Sequence, residues 1–374
     1  MCIAPPLLVA AMAVQISRSL GLNSGALGLA VSGFFAATAS STALLGRVVS
    51  RWGVRPALTT AMAVNGVVLV SIALSQSIWQ IVVALVVGGI ANGAVHPASN
   101  VVLAGGVRGH LGLALGIKQS SMPAAALVGG IAVPAVALTV GWRWAFVMAA
   151  ALSAVLVAVA SRYRQPGGED SGPAQAGADG PPSVVLRLRL LSAAVCCGAA
   201  AGTSLNVFMV DGSVQSHILA PAKAGLLAAC CGMLAVLARV GLGWQADRRP
   251  DRDPTAPTLT LLATCVVGSV LMSTGHPAAF VVGAVLAAGL GFGWTGLVHL
   301  SAMRGSTDTA RTTGTLMTGF ASGSCLGPLV LGHVAAQWGY RPVWISVTVL
   351  GLLAAAMMSA VTTRRVVTSK GASR

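Results

Sequence analysis

Long apolar runs alternate with short polar breaks along this chain, and the runs lack the single polar stripe that a water-facing helix keeps. Twelve runs are distinguishable, at 2–16, 25–46, 57–76, 79–101, 113–138 and 143–161, then 188–210, 222–243, 256–274, 277–299, 311–335 and 342–362. Most approach the roughly 20 residues a helix needs to cross a hydrocarbon core of about 30 Å. The one long break, 162–187, holds Gly167, Gly168, Pro173, Gly177, Pro181 and Pro182 and reads as a linker. The expected organisation is a six-helix bundle over 1–161, a linker over 162–187 and a second bundle over 188–374.

Composition agrees with a lipid-facing surface. Of 374 residues, 55% are hydrophobic and only 8% charged, against roughly 25% charged in soluble domains. The formal charge of +15 does not point to nucleic acid, because the basic residues are scattered between apolar runs. All 23 lysines and arginines fall in connections on one side except Arg18, Arg143, Lys223 and Arg341. By the positive-inside rule that side, with both termini, is cytoplasmic, and the chain is a multi-pass protein of the cell (inner) membrane. This count places Arg239 with the loop after the eighth run. The seven cysteines show no metal-ligand spacing and read as small buried hydrophobes. No basic segment precedes the first apolar run, so it does not read as a cleavable signal.

The two halves repeat. Gly46 to Arg51 aligns with Gly243 to Arg248 at an offset of 197, Gly89-x-Ala91-x-Gly93 with Gly289-x-Gly291-x-Gly293 at 200, and Gly141-Trp142-Arg143 with Gly339-Tyr340-Arg341 at 198. A near-constant offset implies a duplicated unit in parallel orientation. It also puts the counterpart of the seventh run's start ahead of Met1, so the first helix is expected to be short on its cytoplasmic side.

Gly46-Arg47-Val48-Val49-Ser50-Arg51-Trp52-Gly53-Val54-Arg55 resembles the loop signature of the major facilitator superfamily, and Gly243 to Arg249 its second-half echo. The Gly-rich fourth run with His96-Pro97-Ala98, and Gly141-Trp142-Arg143-Trp144, resemble the same family. The resemblance implies an all-α fold of twelve transmembrane helices in two bundles, with the first, fourth, seventh and tenth lining a central cavity. It also implies that Arg47, Arg51, Arg55, Asp247 and Arg248 belong to gating loops. Asp247 is then expected at the start of the fifth helix, around Gly112 to Lys118, in a state closed at the cytoplasmic end and open outward. Three departures stand out. Ser50 replaces the family's acid, the fourth run lacks the arginine linked to proton coupling, and the fifth run has no Gly-Pro pair.

Polar groups inside spans are costly and mark candidate sites. Asn92, His96, Ser99 and Asn100 share one face of the fourth run, either lining a cavity or bonding between helices. Asn206 lies on the seventh run. Asp211 lies on it or just beyond, either as a proton carrier or within an Asp211-Gly212-Ser213 turn at the outer surface. Trp294 and His299 on the tenth run can contact a solute, although Trp is also an ordinary interfacial anchor. Gln15 is a lone polar group on the first run, and Lys118 either meets an anionic solute or snorkels to the surface. Apart from Asp211, the eight acids sit in the linker or cytoplasmic loops, so no pair suits membrane-embedded catalysis, and no cofactor or metal is expected. The expected function is secondary transport of a small solute by a monomer in the lipid bilayer, with a proton as candidate coupling ion. Efflux of a neutral or lipophilic compound is preferred because no fixed charge dominates the candidate cavity. Uptake of a metabolite, or solute sensing without transport, is the alternative.

Overall fold

The computed structural model describes residues 2–21, 23–106, 110–162, 182–251, 253–304 and 309–371. Most of the 162–187 linker lies outside the described residues, as do Arg108 and Arg252. Among the described residues every regular element is helical. The first crossing is Ala4–Ala11 and Ala13–Leu20, two eight-residue helices broken at Met12. The second is Ser24–Trp52, the third Val54–Ala73, and the fourth Ile78–Asn92 continued by Val95–Gly106. The fifth combines Leu111–Gln119, Ser121–Ala132 and the π-turn Val133–Ala137, and the sixth is Trp142–Arg162. The seventh is Pro182–Gln215, the eighth Pro221–Arg248 and the ninth Thr255–Ser273. The tenth runs from Pro277–Ala284 through Val285–Leu290 and Gly291–Trp294 to Thr295–Arg304. The eleventh is Thr309–Trp338 and the twelfth Tyr340–Gly371. Eleven of these are continuous, long and apolar enough to cross a membrane; the broken first span makes the twelfth crossing. That first span is much shorter than the 34-residue seventh, in the sense the repeat anticipated.

Packing follows the repeat. The third span packs on the sixth as the ninth does on the twelfth, and the second on the fourth as the eighth does on the tenth. Two further pairings join the bundles, second with eleventh and fifth with eighth, and the repeat relates them as well. Lipid-facing side chains lie on the peripheral spans: Val67 is 66% exposed, Val155 57% and Leu352 53%. The repeated Gly-x-Arg motif has a backbone origin. Gly141 and Gly339 turn the chain into the sixth and twelfth spans at φ of 103° and 76°, a region that side-chain-bearing residues avoid.

The fifth and eighth spans touch backbone to backbone along their length. A Cβ on Gly130 would stand 2.5 Å from the Gly225 carbonyl oxygen, and one on Gly232 2.7 Å from that of Pro123. Nearer the arginine-rich end, a Cβ on Gly116 would come within 2.5 Å of the Arg239 oxygen, and one on Gly112 within 2.5 Å of that of Gly243. In lipid the attraction between helices comes from such close packing and not from a hydrophobic drive.

One sequence expectation changes here. Asp211-Gly212-Ser213 is not a turn but part of the seventh helix, which continues to Gln215. The side chain of Asp211 is hydrogen-bonded within the bundle, so the helix need not end there. Gly212 serves the packing: a Cβ would stand 2.8 Å from the Tyr340 ring.

Candidate polar site between the bundles

The site begins with two irregularities in helices. Pro123 has no N–H, so the carbonyl of Gln119, four residues earlier, loses its helical donor. In the tenth span the turn loosens to π over Val285–Leu290 and tightens to 3₁₀ over Gly291–Trp294. Irregular backbone at membrane depth is tolerated where neighbouring groups take up the freed bonds. The guanidinium of Arg239 does so for both spans. Its Nη1 donates to the Gln119 carbonyl and its Nη2 to that of Phe292, at 2.7 Å for the latter. The group also lies over the Phe292 ring, 4.8 Å from its centroid.

This corrects the sequence reading of Arg239 as a loop residue. It is 3% exposed and sits nine residues inside the eighth helix, about 13 Å from its end at 1.5 Å per residue. The apolar run Leu234 to Leu242 around it was the available signal.

The remaining groups converge from both bundles. His299, 2% exposed, has Nδ1 2.7 Å from the Thr295 carbonyl and 3.3 Å from Gln119 Nε2. A carbonyl only accepts and an amide nitrogen only donates, so the two contacts call for opposite tautomers, and the shorter one favours a proton on Nδ1. Nε2 of His299, Nδ1 of His96, Oγ1 of Thr295 and Nε of Arg239 are buried without a protein partner. Lys118 lies within electrostatic reach of both histidines. The fourth, fifth, eighth and tenth spans thus supply one polar centre.

Asp247 stands closer to the arginine-rich end. Its two oxygens accept from the backbone N–H groups of Gly112 and Leu113, at 2.7 and 2.8 Å. That is the expected position, where the first amides of a helix lack partners and its dipole favours an anion. Ser50 instead donates to the Arg47 carbonyl within its own helix. Arg47, Arg51 and Arg55 are exposed, and Arg248 lies 3.8 Å above the Trp244 ring.

The opposite end has a tie of its own. Asp211, 3% exposed, accepts from Tyr340 Oη, from Ser24 Oγ at 3.3 Å and from Gln215 Nε2 at 2.9 Å. Ser24 belongs to the first bundle, Asp211 and Tyr340 to the second. The sequence reading has the Asp247 contact favour a state open at the far end; here it stands together with the Asp211 cluster that ties that end. The two are compatible because the fifth–eighth contact runs along both helices.

The other candidates lie elsewhere. Asn92, 4% exposed, points Nδ2 at Thr38 Oγ1, 3.3 Å away on the second span. Asn206 bonds the Gly202 carbonyl one turn back in its own helix. Trp294, 1% exposed, packs against Gly198, where a Cβ would stand 2.5 Å from its ring. Gln15 keeps a buried Oε1 without a partner. The Asn100 side chain lies outside the described atoms.

Comparison with known proteins bears on the whole arrangement. The family model of the Major Facilitator Superfamily matches residues 7–307. Among solved structures, the chain is similar to a bacterial homolog of the human lysosomal transporter Spinster in an inward-facing, unoccupied conformation. Identity is 15% and the TM-score 0.70, over 97% of this chain and 94% of that one. It is also similar to the human organic anion transporter MFSD10, at 16% identity and TM-score 0.62, over 96% and 98%. No curated protein matches the sequence.

Proposed function

Because the chain belongs to the Major Facilitator Superfamily, we propose that it carries a small organic solute across the cell membrane by alternating access. One observation carries this reading: His96, Lys118, Gln119, Arg239 and His299 come from both bundles and lie within hydrogen-bond or electrostatic reach of one another inside an apolar protein. A centre shared by two bundles is remade whenever they rock, which is what a carrier requires. The basic distribution supports a cytoplasmic arginine-rich end with both termini there. Asp247 acts at the cytoplasmic gate, and the Asp211–Tyr340–Ser24 cluster at the outer one.

Export remains the proposed direction, with a single chain as the transporting unit. Preference for a neutral solute rested on the lack of a dominant fixed charge. Buried Arg239 beside Lys118 works against that premise. A thermal-shift screen of the detergent-purified chain against neutral, cationic and anionic metabolites and drugs tests the reading, because a ligand that binds the native state raises Tm. Hits are then followed as flux in proteoliposomes. A carrier moves them; a sensor binds them without flux, and that outcome defeats the proposal.

A further inference from the structure

The two halves of the duplication differ where the third span meets the fourth and the ninth meets the tenth. In the second half Gly268 and Gly283 bring two spans backbone to backbone: a Cβ on Gly268 would stand 2.5 Å from the Gly283 carbonyl oxygen. The repeat offsets of 197 and 200 put Ser71 and Val83 at these places in the first half. Side chains there hold the third and fourth spans apart, and a groove of about 630 Å³ opens between them on the lipid-facing surface. That is the volume of a small-ligand site, roughly 300–1,000 Å³. Its ridges are Val67 and Val83, 66% and 62% exposed, and its floor is Val68 and Ala84, both buried. A helical valine keeps essentially one rotamer, so the ridges do not fold in to fill the space.

The groove is one leaflet deep. From Ala63 to Ser71 on the third span, and from Val87 to Trp79 on the fourth, it runs about 12 Å at 1.5 Å per residue toward the turn that joins them. Half of a hydrocarbon core about 30 Å thick is about 15 Å, so the groove covers most of the leaflet remote from the arginine-rich end. No Asp, Glu, Lys or Arg occurs between Arg55 and Arg108. Polar groups near the mouth are engaged within the protein: Ser71 Oγ donates to the Val67 carbonyl, and Gln80 Oε1 accepts from the amides of Gln76 and Ser77. The walls therefore suit hydrocarbon.

Above the mouth the chemistry changes. Trp79, 65% exposed, has the place of an interfacial anchor. Arg143, exposed at the start of the sixth span, donates through Nη2 to the Ser75 carbonyl at 3.0 Å, in the turn that closes the groove. Among the described residues its guanidinium also meets the Trp142 ring, and it meets no carboxylate. Its other N–H donors keep the fork geometry that fits a phosphate.

We propose that the groove holds one acyl chain of a phospholipid from that leaflet, with the lipid's phosphate on Arg143. A slot for the tail and a cation for the headgroup set this lipid apart from those that merely coat the surface. The inference goes beyond the carrier reading and does not rest on it.

The test is native mass spectrometry of the full chain, delipidated in detergent and titrated with dioleoyl phosphatidylglycerol. One lipid per chain is expected to stay bound. Ala63→Phe and Val67→Phe each place a ring in the groove from an exposed position. Excluding two or three methylene groups in this way is expected to weaken binding at least about tenfold. Arg143→Gln is expected to weaken it as well, and Arg143→Lys, which keeps the charge, to retain most of it. Val155→Phe and Leu352→Phe, at lipid-facing positions on the sixth and twelfth spans, are expected to leave it unchanged. Oleyl alcohol, a tail without a phosphate, is expected to bind more weakly and to ignore Arg143→Gln. Affinity unchanged in both groove variants, or lowered equally in Val155→Phe, shows only surface-coating lipid and overturns the site. Phospholipid binding unchanged in Arg143→Gln, or matched by the alcohol, overturns the phosphate's place. A chain that retains no lipid overturns the proposal outright, and the carrier reading is still judged by flux.

Discussion

At the scale of single residues, one aspartate and one serine occupy equivalent places in the two halves and behave differently. Asp247 crosses to the other bundle and caps its fifth span, whereas Ser50 folds back on its own helix. Replacing Asp247 by Ala is expected to cost about 1–2 kcal/mol, the range for a lost cap and helix-dipole contact, and to speed labelling of cysteines placed at the arginine-rich end. Ser50→Ala is expected to stay within about 0.5 kcal/mol, as exposed substitutions do. Equal labelling rates in the two variants would defeat the asymmetry. Both residues were legible in the sequence because a repeat set them side by side. Arg239 was not, since the same letter serves a loop and a buried site; the apolar run Leu234 to Leu242 was the local signal, and the carbonyls it bonds show only in the fold. The residues it serves lie 120 and 53 positions away.

At the scale of elements, helix count and approximate bounds followed from hydropathy, with spans extending mostly at their polar ends. Hydropathy could not show which faces touch. The fifth–eighth contact depends on glycines that score like any other small residue until the partner backbone is seen. Gly232→Val is expected to force the helices apart and lower stability by about 1–3 kcal/mol, the usual cost of overpacking. Gly241→Ala on the same helix is the control. A Cβ there meets nothing within 4 Å, so the change is expected to be neutral or mildly stabilising, by up to about 1 kcal/mol. Thermal melting of both variants in one detergent makes the comparison, and a matching loss in the two would argue against the close contact. The proline in the fifth span, by contrast, is readable in advance: it always leaves a carbonyl to be satisfied, although the sequence does not say by what.

At the scale of the whole molecule, two ties act at opposite ends of different helix pairs. Tyr340→Phe keeps the ring against Phe208 and Trp344 but removes the hydroxyl that bonds Asp211. In a background cleared of native cysteines, Ser213→Cys, buried at 0% exposure, is expected to react faster with an impermeant thiol reagent once that hydroxyl is gone. An unchanged rate would show that ring packing alone keeps the end shut. The architecture could be anticipated from the sequence because duplication fixes it; the conformation could not, because hydropathy is the same in every state of a rocking carrier. The continuous fifth–eighth contact then has a mechanical meaning. It makes one edge of the molecule a spine and leaves the second–eleventh edge as the fore-edge of a book. That fore-edge is joined where Gly28 meets the Pro328 carbonyl and Ser32 donates to that of Cys325, while toward the arginine-rich end Leu44 is 63% exposed. Leaves bound along a spine part as a wedge, so what can pass is set by the angle they reach and not by the bore of a tube.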